Sequence, residues 1–334
     1  MSYSQSEYQI LKQSVFTIQS ELDFELTAIR AFYFQYKEIP LYKKWVDYLK
    51  VDPSKVQELH QIPFLPIRFF KEHQIIRKNT QSEIIFSSSG TTGMQRSKHF
   101  VSDLTVYEKS YRKSFDFFYG PISEYVVLAL LPSYMEREGS SLIYMAEDFI
   151  RISEHQESGF YLNEQEELVK MLNHLKKENK KVLLLGVSFA LLDLAENFKI
   201  NFPELIIMET GGMKGRRKEM VRDELHAIYR KGFGVEDIHS EYGMTELLSQ
   251  AYSKGDGIFK TPPHMKILIR DTNDPLSLIA NNQSGGVNVI DLANLNSCCF
   301  IATQDVGKRF DNGSFEILGR FDYSDVRGCN LLVL

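Results

Sequence analysis

The chain of 334 residues is poor in cysteine and has no long apolar run. Three cysteines are too few, and odd in number, for a disulfide framework, and no Cys/His spacing resembles a zinc site. No stretch approaches the roughly 18 to 20 apolar residues that span a bilayer, and the polar N-terminus lacks the apolar core of a signal peptide. The net charge of −5 gives no broad basic surface for nucleic acid. These absences predict a cytoplasmic protein that neither crosses a membrane nor binds nucleic acid.

What the sequence does contain is typical of an α/β protein, with 43% hydrophobic and 25% charged residues. Short apolar strands at 125–131, 181–185 and 205–208 alternate with helical stretches, which favours a mostly parallel sheet flanked by helices. Asp103 is a candidate N-cap for one of these helices. After about residue 248 the pattern changes to short β-like runs separated by turns. We therefore predict an α/β core with a helical N-terminal segment over 1–250 and a smaller β-rich subdomain over 251–334.

A run of hydroxyl residues and glycines follows the apolar residues 84–86 and suits the binding of phosphate. Glycine lets the backbone approach a ligand closely, and successive backbone N–H groups in such a turn bind anions. Lys98 could bring a positive charge to the same oxygens. Gly90 and Gly93 are too close together for a Walker loop. Taken alone, a run of this composition is usually a flexible surface loop. Its residues are Ser87, Ser88, Ser89, Gly90, Thr91, Thr92 and Gly93.

Four further segments follow this loop in a recognisable order. They are Gly211-Gly212, Tyr242-Gly243-Met244-Thr245-Glu246, Thr303-Gln304-Asp305 and Gly319-Arg320. Together with the loop, they resemble the adenylate-forming superfamily, which includes acyl-CoA ligases, peptide-synthetase adenylation domains and luciferases. The resemblance implies the fold of the superfamily's N-terminal domain, and it implies ATP and Mg²⁺ as the cofactors.

The resemblance also implies a role for each segment in ATP binding. The loop would wrap the β- and γ-phosphates, and Gly211 and Gly212 would lie beside adenine and the acyl pocket, which we expect near 185–189 and 211–213. Tyr242 and Gly243 would lie against adenine. Asp305 would bind the ribose hydroxyls, although Thr303–Asp305 could also be an ordinary polar turn. Arg320 would reach the ribose or the α-phosphate.

Four residues are candidates for catalysis under the same resemblance. Thr245 would bind the α-phosphate or the carboxylate, and Glu246 would help to hold Mg²⁺, which prefers carboxylate and phosphate oxygens. Lys214 would place a cation near the reacting carboxylate. Cys329 would carry the acyl group as a thioester.

The tail from Gly319 to Asn330 points to one family within this superfamily. Together with the N-terminal helical segment, it resembles the LuxE-type acyl-protein synthetases of bacterial bioluminescence. The mobile C-terminal domain of most superfamily members, with its lysine, is expected to be absent, so Lys98 or Lys214 would have to replace that cation. In the LuxE-type family a fatty acid is activated as acyl-AMP, held as a thioester on a cysteine and passed to a reductase. Cys329 is the nearest match to that cysteine, although it could equally be a small buried hydrophobe.

Three functions remain open on this sequence. The first is ATP-dependent activation of a carboxylic acid, by resemblance a fatty acid, followed by transfer to a thiol of a protein, CoA or a carrier protein. The second is a CoA ligase for a small or aromatic acid, similar to phenylacetate-CoA ligases. The third is a non-catalytic protein that binds a nucleotide or an acyl group beside a reductase or an acyltransferase.

Overall fold

The computed structural model describes residues 3–88, 95–131, 139–162, 164–211 and 220–321. The helices are α1 (Tyr3–Val15), α2 (Glu21–Glu38), α3 (Pro40–Tyr48), α4 (Phe69–Glu72), α5 (Leu104–Tyr119), α6 (Ser141–Ser153), α7 (Gln165–Lys177), α8 (Ser188–Asn197) and α9 (Arg222–Phe233). The strands are β1 (Leu65–Pro66), β2 (Ile84–Ser87), β3 (Lys98–Val101), β4 (Val126–Leu130), β5 (Gly159–Phe160), β6 (Val182–Val187), β7 (Ile206–Thr210), β8 (His239–Tyr242), β9 (Ala251–Ser253), β10 (Ile258–Lys260), β11 (Met265–Arg270), β12 (Ser284–Asp291), β13 (Phe300–Arg309) and β14 (Phe315–Arg320).

Most strands belong to one mixed sheet, with the order β11-β12-β13-β14-β10-β9-β8-β7-β6-β4-β5 and β1 beside β13. Strands β5, β4, β6, β7 and β8 pair in parallel, and the pairs from β8 to β11 are antiparallel. Strands β2 and β3 form a separate hairpin. The predicted α/β fold is confirmed, and its parallel part consists of these five strands together with the short β1–β13 pair.

The parallel strands form where the sequence has continuous apolar runs. Every residue of β4 and β6 is buried, as expected of strands covered by helices on both faces. Their carboxyl ends therefore meet at one edge of the sheet, which is where ligands bind in open α/β proteins.

Helix α5 begins at Leu104, and Asp103 takes the N-cap position as predicted. The Asp103 side chain, however, accepts no hydrogen bond from the helix backbone. The carboxylate of Asp103 instead accepts hydrogen bonds from Lys12 at 2.6 Å and from the Tyr8 hydroxyl at 2.6 Å, both on α1. The Leu104 N–H at the helix start donates instead to Glu83 Oε2 at 2.9 Å. The capping prediction was therefore wrong about the side chain, because a cation on a distant helix competes for the same carboxylate.

The apolar core divides into two clusters. One covers the parallel sheet and its flanking helices, and the other joins α1–α3 to the β-rich strands β11–β13. The N-terminal helices thus pack on the strands near the end of the chain. The domain boundary near residue 250 stays a prediction.

Within the described ranges, no helix is both long and apolar enough to cross a membrane.

Candidate functional site

The hairpin β2–β3 holds the described ends of the hydroxyl-rich loop. Ser87 pairs with Lys98 across the hairpin. One residue further on, the Ser88 N–H donates to the Ser97 carbonyl at 3.1 Å, and the Ser97 N–H donates to Ser88 Oγ at 3.0 Å. The start of the loop is thus tied on both sides, and Lys98 lies exposed beside it.

Several predicted site residues lie outside the described residues. They are Ser89, Gly90, Thr91, Thr92, Gly93, Gly212, Lys214 and Cys329.

His99 joins this hairpin to the Thr245-Glu246 segment. A carbonyl oxygen only accepts, so His99 Nδ1 carries a proton and donates to the Thr245 carbonyl at 2.8 Å. Asn294 Nδ2 donates to the Glu246 carbonyl at 2.8 Å, and Asn294 also contacts His99 Nε2 at 3.0 Å. The Asn294 atom that faces His99 Nε2 is Oδ1, so both ring nitrogens face oxygen acceptors. Burial lowers the pKa of His99 to about 4, opposed by these two hydrogen bonds. His99 and Asn294 therefore position the segment through its backbone, and the sequence motifs contain neither residue.

Glu246 is a buried carboxylate at the end of this segment, 6% exposed. Burial raises its pKa, opposed by a hydrogen bond with Ser97 and by the charges of Arg320 and Lys71. Ser97 thus contacts both Ser88 and Glu246. The predicted phosphate loop and the predicted metal ligand are brought together at one place.

Tyr242, Asp305 and Arg320 form a second connected group. The Tyr242 hydroxyl donates to Asp305 Oδ2 at 2.7 Å, and Arg320 Nε lies 3.1 Å from Asp305 Oδ1. The Tyr242 ring packs against Phe259 and Phe315 with centroids 6.0 and 5.6 Å away. Burial and the nearby Asp305 hold the pKa of Tyr242 well above its usual value, so its hydroxyl stays protonated.

Asp305 lies within β13, opposite Arg320 of β14. The alternative reading of Thr303–Asp305 as a turn was therefore wrong. Since the Arg320 side chain is 64% exposed, its guanidinium can reach a ligand while it pairs with Asp305.

The glycines at the strand ends have separate structural reasons. Gly211 adopts a φ of 74°, which a side chain would strain, and Ser188 Oγ donates to its carbonyl at 3.1 Å. A Cβ on Gly243 would lie 2.3 Å from Glu241 Oε1. A side chain at position 243 would thus displace the Glu241 carboxyl group.

Glu241 is a site residue that the sequence analysis missed. The Thr210 hydroxyl donates to its Oε2 at 2.6 Å. Burial raises the pKa of Glu241 to about 7, opposed by the hydrogen bond from Thr210. A buried acid with a pKa near neutrality is a feature of functional sites.

The described residues fit a magnesium ion bound mainly through phosphate. They contain no cluster of three or more histidines, cysteines or carboxylates that would hold a metal by itself. Magnesium characteristically takes one or two carboxylates plus substrate phosphate oxygens. Glu246 supplies one carboxylate, which is hydrogen-bonded with Ser97 beside the start of the hydroxyl-rich loop.

Comparison with known proteins supports the fold. No protein-family model matches the sequence, and no curated protein matches it. Among solved structures, the chain is similar to 2-hydroxyisobutyryl-CoA ligase in complex with 2-HIB-AMP and CoA, with a TM-score of 0.65 and 12% identity, over 92% of this chain and 70% of that chain. It is also similar to ATP-bound MatB from Rhodopseudomonas palustris, with a TM-score of 0.54 and 15% identity, over 71% of this chain.

The chain has an α/β fold that resembles the N-terminal domain of adenylate-forming enzymes. It spans 47% of the length of MatB. At these identities the likeness establishes the fold alone.

Proposed function

We propose that this protein activates a carboxylic acid as an acyl-adenylate with ATP. The observation that carries the proposal is the proximity of three groups, which are the start of the hydroxyl-rich loop, the Thr245-Glu246 segment and the Tyr242–Asp305–Arg320 group. Ser97 and His99 join the first two groups, and the charge of Arg320 in the third acts on Glu246. Each group carries the chemistry that one part of ATP requires.

The adenosine end of ATP would be held by the Tyr242–Asp305–Arg320 group. The Asp305 carboxylate can accept hydrogen bonds from ribose hydroxyls, and the Arg320 guanidinium can donate to the ribose or the α-phosphate. The phosphates would extend toward Ser88 and Lys98, where hydroxyls, backbone N–H groups and a lysine can bind them. Magnesium, held through Glu246 and phosphate, would neutralise charge that otherwise repels the incoming carboxylate.

The reaction is a displacement at the α-phosphorus. A carboxylate oxygen of the acid forms a bond to phosphorus, and the bond to the pyrophosphate oxygen breaks, with the electron pair leaving on pyrophosphate. A thiolate then attacks the acyl carbon and AMP leaves. Positioning and charge neutralisation would supply most of the rate, since the chain's residues form no bond to phosphorus in the first step.

The first step is tested by exchange of labelled pyrophosphate into ATP in the presence of a panel of acids. We expect exchange with one class of acid, and we expect Glu246→Gln to lower its rate by about a hundredfold, the order seen when one group that stabilises a transition state is removed. Glu178→Gln, at the exposed end of α7, is the matched control and should exchange like the parent. Measurable ATP binding without exchange for any acid would instead favour the non-catalytic alternative.

The identity of the thiol is a separate question. If the protein resembles the acyl-protein synthetases in this step, labelled acid and ATP should label the protein itself, hydroxylamine should release the label, and Cys329→Ala should abolish it. If it acts as a CoA ligase, acyl-CoA should form at the same rate in Cys329→Ala and in the parent protein. A fatty acid as the preferred substrate would extend the resemblance to the LuxE-type family.

A further inference from the structure

A row of side chains crosses the carboxyl edge of the sheet on the face that α5 covers. Val187 of β6 is in register with Thr210 of β7, and Glu241 of β8 is in register with Tyr252 of β9. The pairing of β7 with β8 continues this register, so that Thr210 and Glu241 lie side by side, as their 2.6 Å hydrogen bond confirms. The row therefore presents a hydroxyl, a carboxyl and a phenol next to one another.

The carboxyl group of Glu241 lacks a cation partner within the described residues. Its side chain is partly exposed, and burial still raises its pKa. Thr210 donates to one of its oxygens, and the other lies against Gly243, where a Cβ would collide with it. A buried acid is costly to ionise unless further donors bind it. Glu241 can thus take an additional donor from a ligand.

The hydroxyl of Tyr252 is a buried donor that needs a hydrogen-bond acceptor. Tyr252 is 1% exposed, and its hydroxyl has no hydrogen-bond partner among the described residues. Burial and the charge of Glu241 hold the pKa of Tyr252 well above its usual value, so the hydroxyl remains a donor. An unpaired buried hydroxyl costs free energy, which a ligand or a water molecule that accepts from it would offset.

The same row lies beside the hairpin that begins the hydroxyl-rich loop. The Tyr107 ring of α5 contacts Phe86 of β2 with centroids 5.2 Å apart. The Tyr107 hydroxyl donates to the Ser141 carbonyl at the start of α6, and Tyr107 interacts electrostatically with Glu241. Thr210 directly precedes Gly211, so the row adjoins the region in which the superfamily resemblance implies the acyl pocket.

We infer that Glu241, Thr210 and Tyr252 form a polar recess that binds a hydroxyl group of the acid substrate, so that the site selects hydroxy acids over plain hydrocarbon acids. The inference rests on the proposed function for the identity of the ligand. A hydroxyl can donate to Glu241 and accept from Tyr252 at the same time. A methylene group would leave both unsatisfied, and sites built to bind a hydroxyl reject analogues that lack it. An ammonium group could only donate.

The experiment measures equilibrium binding by calorimetry for butyrate, 2-hydroxybutyrate, 3-hydroxybutyrate, 3-aminobutyrate and palmitate, each in the presence of a non-hydrolysable ATP analogue. We expect one of the hydroxy acids to bind at least about tenfold more tightly than butyrate. Glu241→Leu and Tyr252→Phe should each remove this preference, while Glu241→Gln should keep most of it because an amide can still accept. Tyr33→Phe, on α2 in the other apolar cluster, removes a phenol that donates to the Val56 carbonyl and should keep the full preference.

Several results would overturn the proposal that this recess binds a hydroxyl group. Tighter binding of butyrate or palmitate than of both hydroxy acids would mean an apolar pocket, and tightest binding of the amino acid would mean a cation site. Absence of binding for every acid would also overturn it. Pyrophosphate exchange with the same acids separates the two proposals, since exchange supported best by palmitate would keep the proposed function while rejecting the recess.

Discussion

Two carboxylates at the same edge of the sheet have opposite surroundings. Glu209 of β7 points to the face that α9 covers, is 8% exposed, and lies 3.0 Å from His226 Nε2. Glu241 of β8 points to the α5 face, where its described hydrogen bond comes from the neutral hydroxyl of Thr210. The residue type and the sheet edge are the same, and the partners differ. The comparison teaches that, among the described residues, Glu209 is held by an imidazole whereas Glu241 is bonded by a neutral hydroxyl, which distinguishes two carboxyl groups on neighbouring strands.

The largest effect should come from removing the partner of Glu209. His226→Leu leaves a buried carboxylate without its imidazole, and breaking a buried pair in this way costs about 3 kcal/mol or more of unfolding free energy. Urea unfolding measures the change. Glu209→Leu combined with His226→Leu should recover most of the loss, whereas an equal loss in the double variant would show that the pair is not what stabilises this face.

A smaller effect of opposite sign is expected at Glu241. Its folded-state pKa of about 7 lies above the usual value of 4.5, so its contribution to stability is full below pH 4.5 and is lost as the pH rises through 7. Glu241→Gln has no such loss and should be more stable than the parent at pH 8, by about 3 kcal/mol at most. The two proteins should unfold alike at pH 4.5. A parent stability that does not fall relative to Glu241→Gln between pH 5 and 8 would contradict this account of Glu241.

The contact between Gly243 and Glu241 gives a third test. Gly243→Ala places a Cβ where Glu241 Oε1 lies, so the carboxyl group must move away from Thr210. Overpacking of this kind costs about 1 to 3 kcal/mol, and hydroxy-acid binding should weaken with it. Adding Glu241→Ala should restore stability without restoring binding. Gly159→Ala, which has open space around its Cβ position, is the matched control for thermal unfolding.

The smallest effect is expected at His99, a buried imidazole whose partner is a carbonyl group rather than a carboxylate. His99→Phe leaves the Thr245 carbonyl without its donor, which costs about 1 to 2 kcal/mol and should raise the KM for ATP. Because burial lowers the pKa of His99 to about 4, the parent loses stability as the pH falls from 6.5 toward 4. The variant should lack that part of the pH dependence in thermal unfolding curves. If the parent and the variant lose the same stability between pH 6.5 and 4, His99 does not titrate as described.

The sequence predicted the α/β fold because the fold depends on local signals. Apolar runs such as those in β4 and β6 are continuous because both faces are covered, and the motif order gives the superfamily resemblance. The motif residue Glu246 meets the described start of the loop through Ser97, and Tyr242 and Asp305 contact each other. How each of them acts stays a prediction.

The residues that the sequence analysis missed depend on register and on distant pairing. Glu241 precedes the Tyr242 motif by one position, but its neighbours Thr210 and Tyr252 become visible only when the strand pairing is known. His99 and Asn294 contact each other across 195 positions of sequence. The cap at Asp103 failed for the same reason, since Lys12 is 91 residues away. One sequence contains no signal for such pairs.

The most direct test of acyl-adenylate formation is isotope transfer. The acid that supports the fastest pyrophosphate exchange is prepared with oxygen-18 in its carboxyl group and incubated with ATP and a thiol acceptor, and the nucleotide products are analysed by mass spectrometry. Attack of the carboxylate on the α-phosphorus predicts one labelled oxygen in AMP after the acyl group has left. Unlabelled AMP, or label in inorganic phosphate together with ADP, would contradict it.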